Sequence, residues 1–459
     1  MINSMKLTQE IKDKIKEIKR SNPKLLSVGL GEKMSNGQAT GEPAIICSFL
    51  EKKPIDQLSE NEILPNKVIV GDDTIKIDVI QEGQAYAFIT CANCGGWFGG
   101  ASTGNRDFRR PLQPGLTISS TNNSTKIGTL GTFVKDTGTG AILGLTNNHV
   151  TVNDASFTSA RNILTGEIKN DYSSINHVVQ GREDGNMQAP TNRIGRSVRY
   201  VPITTAAQGL VLPNKVDAAA FNVEKNDVDY LDSWKPLGIS IGTNNPRFAT
   251  TAELNNLFND NPQIIFSGRT SGPMGDGSTG CWLRVNAVGV STQIAYNVQG
   301  QEVICNFEDC ISVIRPDADT PNSQQPGCLN PGLPGDSGSA VYAKLSSGGG
   351  TALVGLLFAG GCSMSDMPPE YNGNTCCVQA PPNNCSTKFL FCRIDHIAAE
   401  LGVEWWDPSI DLDNFKVVNT ESFENVTQLG TSQDKLKNCG GKVYYQAGLT
   451  NNSDLTNDC

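Results

Sequence analysis

Three residues, His149, Asp217 and Ser337, have the types needed to turn an alcohol into a nucleophile. Ser337 lies in NPGLPGDSGSAVY, where Gly335 and Gly338 permit a tight turn without a Cβ clash. Such a turn can aim the N–H groups of Gly335 and Ser337 at one point, as a developing oxyanion requires. A serine hydroxyl is a poor nucleophile at neutral pH and needs an adjacent base. His149, at the end of the apolar run LGLTNNHV, can accept that proton and return it to a leaving amine. Asp217 opens the apolar run of NKVDAAAF, where a carboxylate is costly unless paired. An imidazole N–H is a suitable partner, and such a carboxylate fixes the tautomer and stabilises the imidazolium. The chain has only three histidines. His177, in the polar stretch DYSSINHVV, is expected in a loop, and His396 is expected to be packed or capped on a short helix.

These residues need a rigid frame, and the periodicity of the chain is largely that of strands. From about residue 116, short apolar runs alternate with polar turns: TKIGTLGTFVKD, AILGLTNN, NRIGRSVRYV, VDAAAFNV, PQIIFSGR, CWLRVNAVGVS, AYNVQGQEVIC, SAVYAKL, TALVGLLFAG and TKFLFCRI. That density predicts an all-β sandwich or pair of barrels. RIDHIAAELGV predicts a closing helix over 393–403. Ahead of this region, Leu7, Ile11, Ile15 and Ile18 recur at helical spacing until Pro23. LLSVGLGEK, AIICSFLEK, KVIV and TIKIDVI follow as strands, and PIDQLSENE as a short helix with Pro54 suited to its first turn. The expected domains are an α+β domain over 1–88, a Gly/Cys/Pro-rich linker over 89–115, a β domain over 116–405 and a polar tail over 406–459.

Composition excludes several classes. With 459 residues the chain exceeds the roughly 250–300 at which one core stops growing. Its 37 basic and 47 acidic side chains give a net charge of −10, which supplies no cationic stripe for nucleic acid. No run of 18 apolar residues offers a membrane span, and the N-terminal stretch lacks the apolar core of a secretory signal. Fourteen cysteines pull the other way and suggest disulfides and an oxidising destination. The pair Cys91-Ala-Asn-Cys94 has zinc-ligand spacing, but no second pair follows at the expected distance, so no metal or other cofactor is expected.

The order His149, Asp217, Ser337 on a β-rich background resembles the chymotrypsin-fold, trypsin-like serine proteases. The chain is most similar to the branch holding the plant narrow-leaf protease and its bacterial relatives. The stretches that carry this are RPLQPGLTI, IGTLGTFVKDTGTGAILGLTNNHV, NRIGRSVRYVPI, NKVDAAAF, IIFSGRTSGPMGDGSTG, GDSGSAVY and VGLLFAGG, with SVGLGEK and TGEPAIICSFLEKK ahead of them. They span roughly residues 24–404. The resemblance implies a mainly β fold, a chymotrypsin-like double barrel of six strands each with a cleft between, behind the small α+β domain and before the polar tail. It implies His149, Asp217 and Ser337 as the catalytic triad and Gly335 as the second oxyanion donor. Phe358, Ala359 and Gly360 would pair with substrate backbone and wall the specificity pocket. Pro331, six positions before Ser337, disfavours cleavage after Lys or Arg.

There are departures. Val150 follows the histidine where animal enzymes carry Cys, and Ser339 replaces the second Gly of GDSGG. Asp217 and Ser337 are 337 − 217 = 120 positions apart, more than a compact barrel needs, so Asn244–Asn261 and Asp317–Pro326 are expected as surface insertions. A Cys328–Cys362 bond would brace the pocket wall, Cys281 with Cys305 or Cys310 could bridge strands, and Cys376, Cys377, Cys385 and Cys392 crowd one loop. The expected function is that of a serine endopeptidase acting on protein or peptide substrates through an acyl-enzyme, with neither nucleic acid nor membrane as partner. The alternatives are a non-catalytic structural or binding protein on the same fold, and a protease limited to its own linker.

Overall fold

The computed structural model of the protein describes residues 5–35, 38–87, 105, 109–120, 123–151, 177–180, 193–205, 213–223, 235–241, 246–275, 282–298, 301–314, 332, 335–345, 350–360, 388–406, 435–439 and 442–446. The fold is mainly β, and each of the ten runs expected as strands falls on one or two. They divide between two sheets that curl into a double barrel. The first sheet has eight strands and carries Ile142–Thr146 beside Ala219–Val223, in register Ala219 to Thr146 and Ala220 to Leu145. Both strands are buried along their whole length, which is why they read as continuous apolar runs without alternation. This pairing carries His149 and Asp217, one from the end of each apolar segment.

The second sheet has thirteen strands among the described residues. Its barrel runs Gly272–Met274, Gln263–Gly268, Ala340–Leu345, Gly350–Gly360, Lys388–Arg393, Gln301–Ile314 and Arg284–Val298. The amide of Ile264 donates to Leu283 O and ties the far ends together. The strand Ser27–Ser35 pairs with Arg284–Val298, so the α+β segment continues this sheet rather than standing beside it. Helix Gln9–Ser21 is capped by the Thr8 hydroxyl and buries Ile11, Ile15 and Ile18, as the spacing predicts. These residues share one core with the second barrel, while Leu112, Leu116, Phe133, Phe221 and Trp406 belong to the core of the first.

Several expectations are corrected. PIDQLSENE forms two single 3₁₀ turns, Ile55–Gln57 and Glu60–Glu62, and Pro54 precedes the first instead of entering it. Ile55 stays exposed, so no apolar face holds a longer helix together. His177 begins the strand His177–Gln180 and not a loop, although its side chain lies outside the described residues. The stretch Asn244–Asn261 holds a capped helix, Thr251–Asp260, and a short strand, Arg247–Phe248, that pairs in parallel with Ala352 and Leu353. Cys305 and Cys310 are free buried thiols, as are Cys47 and Cys392, and Cys281, the partner expected for either of the first two, lies outside the described residues. They fill strand positions in the core as small apolar side chains. Asp317–Pro326, Pro331, Cys91, Cys94, Cys281, Cys328, Cys362, Cys376, Cys377, Cys385 and most of the tail lie outside the described residues. Among the described residues no helix is long and apolar enough to cross a membrane.

Candidate active site

His149 sits on the single helical turn Asn148–Thr151, directly after the strand Ile142–Thr146. Its Nδ1 lies 2.5 Å from Asp217 Oδ2, and its backbone N–H donates to Asp217 Oδ1 at 3.2 Å. Asp217 is fully buried. Its carboxylate also accepts from the Tyr296 hydroxyl at 2.9 Å, its amide donates to Cys392 Sγ at 3.2 Å and its carbonyl accepts from Asn147 Nδ2 at 2.5 Å. The sequence-level concern about a lone carboxylate is thereby met with three donors to its two oxygens. Burial, then the adjacent Asp217 charge, raises the Tyr296 phenol well above its ordinary pKa of 10. It therefore remains a donor to Asp217 through the neutral and mildly alkaline range. Sequence reasoning missed Tyr296, because a tyrosine inside an apolar strand carries no signal of its partner.

Ser337 lies in the turn between the barrels' facing edges, with Gly335 at φ +99° and Gly338 at φ +93°. A Cβ on Gly335 would come within 2.4 Å of Thr270 Oγ1, and one on Gly338 within 2.2 Å of Thr146 Oγ1. Both positions therefore require glycine for conformation and for space. Asp336 points away from the nucleophile. It accepts from the amides of Thr270 at 2.8 Å and Ser271 at 3.0 Å, and from the Ser271 hydroxyl. The departure at Ser339 has a local reason, since its hydroxyl donates to Asp336 O at 2.6 Å and closes the same turn.

Thr129 joins the two halves. Its amide donates to Ser337 O at 2.7 Å and its hydroxyl to Gly335 O at 2.8 Å. The same hydroxyl accepts from the Arg269 amide at 3.0 Å, and Thr129 O accepts from Thr146 Oγ1 at 2.8 Å. The serine turn is thus braced from the end of the strand Asn123–Thr129, which Thr146 ties in turn to the strand that precedes His149. Val150 packs over Gly128, where a Cβ would meet Val150 Cγ2 at 2.5 Å and Ser337 O at 2.8 Å. Histidine helix and serine turn therefore converge on one glycine. His149 Nε2 is buried and has no hydrogen-bond partner among the described residues, whereas Ser337 Oγ donates to Phe358 O at 3.4 Å. Both side chains are closed off, His149 being 2% exposed and Ser337 0%.

Phe358, Ala359 and Gly360 end the strand Gly350–Gly360 beside Ser337. Phe358 is buried, its ring 4.8 Å from that of Phe307. The neighbouring strand Ala340–Leu345 pairs no further along than Leu356. Beyond it the edge is occupied by Ala85–Ala87, which pairs antiparallel as Ala87 to Ala359 and Tyr86 to Gly360. The third histidine stands apart: His396 Nε2 lies 2.9 Å from Asp309 Oδ2 on the closing helix Ile394–Leu401. Among the described residues no cluster of His, Cys, Asp or Glu is arranged to hold a metal ion.

No family model and no curated protein matches the sequence. Among solved structures the chain is similar to the crystal structure of Thermobifida fusca protease A, at 12% identity and a TM-score of 0.30, over 64% of this chain and 97% of that one. A likeness of that size says nothing of residues or substrate.

Proposed function

We propose that the protein is a serine endopeptidase in which Ser337 is the nucleophile, His149 the base and acid, and Asp217 the group that orients the imidazole. The observation that carries this is the 2.5 Å contact of His149 Nδ1 with the buried Asp217 carboxylate. With Nδ1–H directed at the carboxylate, Nε2 presents its lone pair, and Nε2 is the imidazole atom left without a partner among the described residues. The order and context of the motifs, as in the narrow-leaf branch of trypsin-like proteases, support the same reading.

The reaction begins when the Ser337 hydroxyl turns from Phe358 O to His149 Nε2. As Oγ attacks the scissile carbonyl, Nε2 takes the hydroxyl proton, and the carbonyl oxygen gains negative charge beside the Gly335 and Ser337 amides. The imidazolium then gives its proton to the leaving amine, the C–N bond breaks and an ester to Ser337 remains. Water attacks this ester with His149 again as base, which releases the acid product and restores the hydroxyl. Asp217 holds the imidazolium throughout without itself taking the proton.

A small alkyl fluorophosphonate tests the assignment by phosphonylating an activated serine. Intact-mass analysis is expected to show one adduct on the wild type and none on Ser337→Ala or His149→Ala. A folded wild type that takes up no adduct would remove the enzyme reading and leave a binding protein on a protease fold.

A further inference from the structure

The strand Gly350–Gly360 ends in an edge that its neighbour Ala340–Leu345 does not cover, and the chain's own segment Ala85–Ala87 lies on it. Ala85–Ala87 is paired on both sides: antiparallel to Ala359 and Gly360, and parallel to Ile294 and Ala295. Gln84 clamps its start, donating from Nε2 to Gln293 O at 2.9 Å. The polarity of the pairing is informative. Passing from Tyr86 to Ala87 moves the partner from Gly360 back to Ala359. One further step along that strand is Phe358, whose carbonyl lies 3.4 Å from Ser337 Oγ. Any peptide entering this edge in the same direction therefore carries its next carbonyl toward the nucleophile. Ala87 is buried and Tyr86 half-buried, so the edge accepts a small side chain opposite Ala359 and admits a large one opposite Gly360.

We propose that Ala85–Ala87 occupies the substrate-backbone site as a built-in competitor, so that the full chain is closed to extended peptides until this strand is displaced. The proposal rests on the assignment of Ser337 as nucleophile and deepens it by naming the substrate class: extended peptides that add a strand antiparallel to Ala359–Gly360, with a small residue opposite Ala359 and an aromatic one opposite Gly360. Main-chain pairing supplies affinity in such strand addition, and the alternate side chains supply selectivity. An internal segment already ordered on the site lowers the fraction of molecules competent to bind and weakens apparent affinity by that fraction.

Two substitutions in the full chain loosen the strand. Tyr86→Pro removes an N–H from a strand paired on both sides, and Gln84→Ala removes the side-chain clamp while leaving the backbone intact. Two probes separate the competence of Ser337 from access to the edge. A small alkyl fluorophosphonate does not need the edge, whereas a tripeptidyl phosphonate carrying Tyr then Ala in the corresponding positions does. The small probe is expected to label the wild type and both variants at similar rates. The tripeptidyl probe is expected to label the variants about tenfold faster, the change that one lost strand hydrogen bond makes to an opening equilibrium. Amide exchange at Ala359 and Gly360 should rise in the same variants, and a melting curve confirms that each is folded. Equal tripeptidyl labelling of wild type and variants would overturn the proposal, as would unchanged exchange at Ala359 and Gly360 in both. Labelling that is no slower with Trp in the place of Ala would overturn the stated substrate class. If the small probe labels nothing while exchange rises, the nucleophile assignment itself falls and the proposal falls with it.

Discussion

At the scale of single residues, the site rests on Asp217 and on how its carboxylate is satisfied. Asp217→Asn keeps the shape but presents an amide to Nδ1, which favours the wrong tautomer, and a fall in kcat of about 10⁴ is expected from peptide-hydrolysis kinetics. Tyr296→Phe removes one donor from a buried carboxylate and leaves His149 in place. A buried acceptor that loses a partner costs about 1–3 kcal/mol, so a lowered melting temperature with kcat reduced by roughly tenfold is the expected result. Cavity effects alone would lower the melting temperature without touching kcat. Gly335→Ala places a methyl 2.4 Å from Thr270 Oγ1 at φ +99°, and phosphonate labelling should fall while His149 and Asp217 stay paired. The pairing of His149 with Asp217 and the tight turn at Gly335 and Gly338 were legible in the sequence because each interrupts its surroundings: a carboxylate or imidazole at the end of an apolar run, glycines around a serine. Thr129 and Tyr296 were not, since each looks like an ordinary strand residue and acts through a partner distant in the chain.

At the scale of elements, helix Gln9–Ser21 is fastened to the second barrel through Asp309. Lys12 Nζ lies 2.7 Å from Asp309 Oδ2, and the fully buried Arg393 lies 3.0 Å from Oδ1 and 2.7 Å from Asp395 Oδ2. Burial alone would raise the Asp309 pKa. The hydrogen bond from His396, the charge of Arg393 and the bond and charge of Lys12 together overcome it and hold the carboxyl well below its ordinary range. A depressed carboxylate contributes stability that is fully present above its unfolded pKa, near 3.9. That contribution is lost only as pH falls below it and through the folded value. The helix is therefore expected to stay docked at pH 5, with destabilisation confined to more acid solution, as melting curves against pH would show. Asp309→Ala strands Arg393 with one carboxylate fewer, and a loss of about 3–5 kcal/mol is expected in denaturant unfolding. The helix was readable from Leu7, Ile11, Ile15 and Ile18 alone. Helix Thr251–Asp260 carried a readable start as well, Thr250 with Glu253 three residues on, and it was overlooked inside a polar stretch. What periodicity does not encode is partnership: nothing in SVGLGEK states that it pairs with Val288 and Ser291.

At the scale of the whole molecule, that pairing makes the α+β segment part of the second barrel's sheet. Removing residues 1–83 would strip the partner from the strand Arg284–Val298 and bare Val288 and Val290, an unpaired apolar edge of the kind that aggregates. The shortened chain is expected to sediment as aggregate where the full chain sediments as a discrete species. The two barrels are joined as well by Arg199 of the first, which pairs with Asp136 and donates to Leu401 O at 2.6 Å at the end of the closing helix. One last consequence follows from Asp336. Its carboxylate accepts from Thr270 and Ser271, neighbours in the turn that follows the strand Gln263–Gly268 of the same barrel. The serine turn is accordingly anchored to a neighbouring turn of its own barrel by contacts that form as the barrel folds.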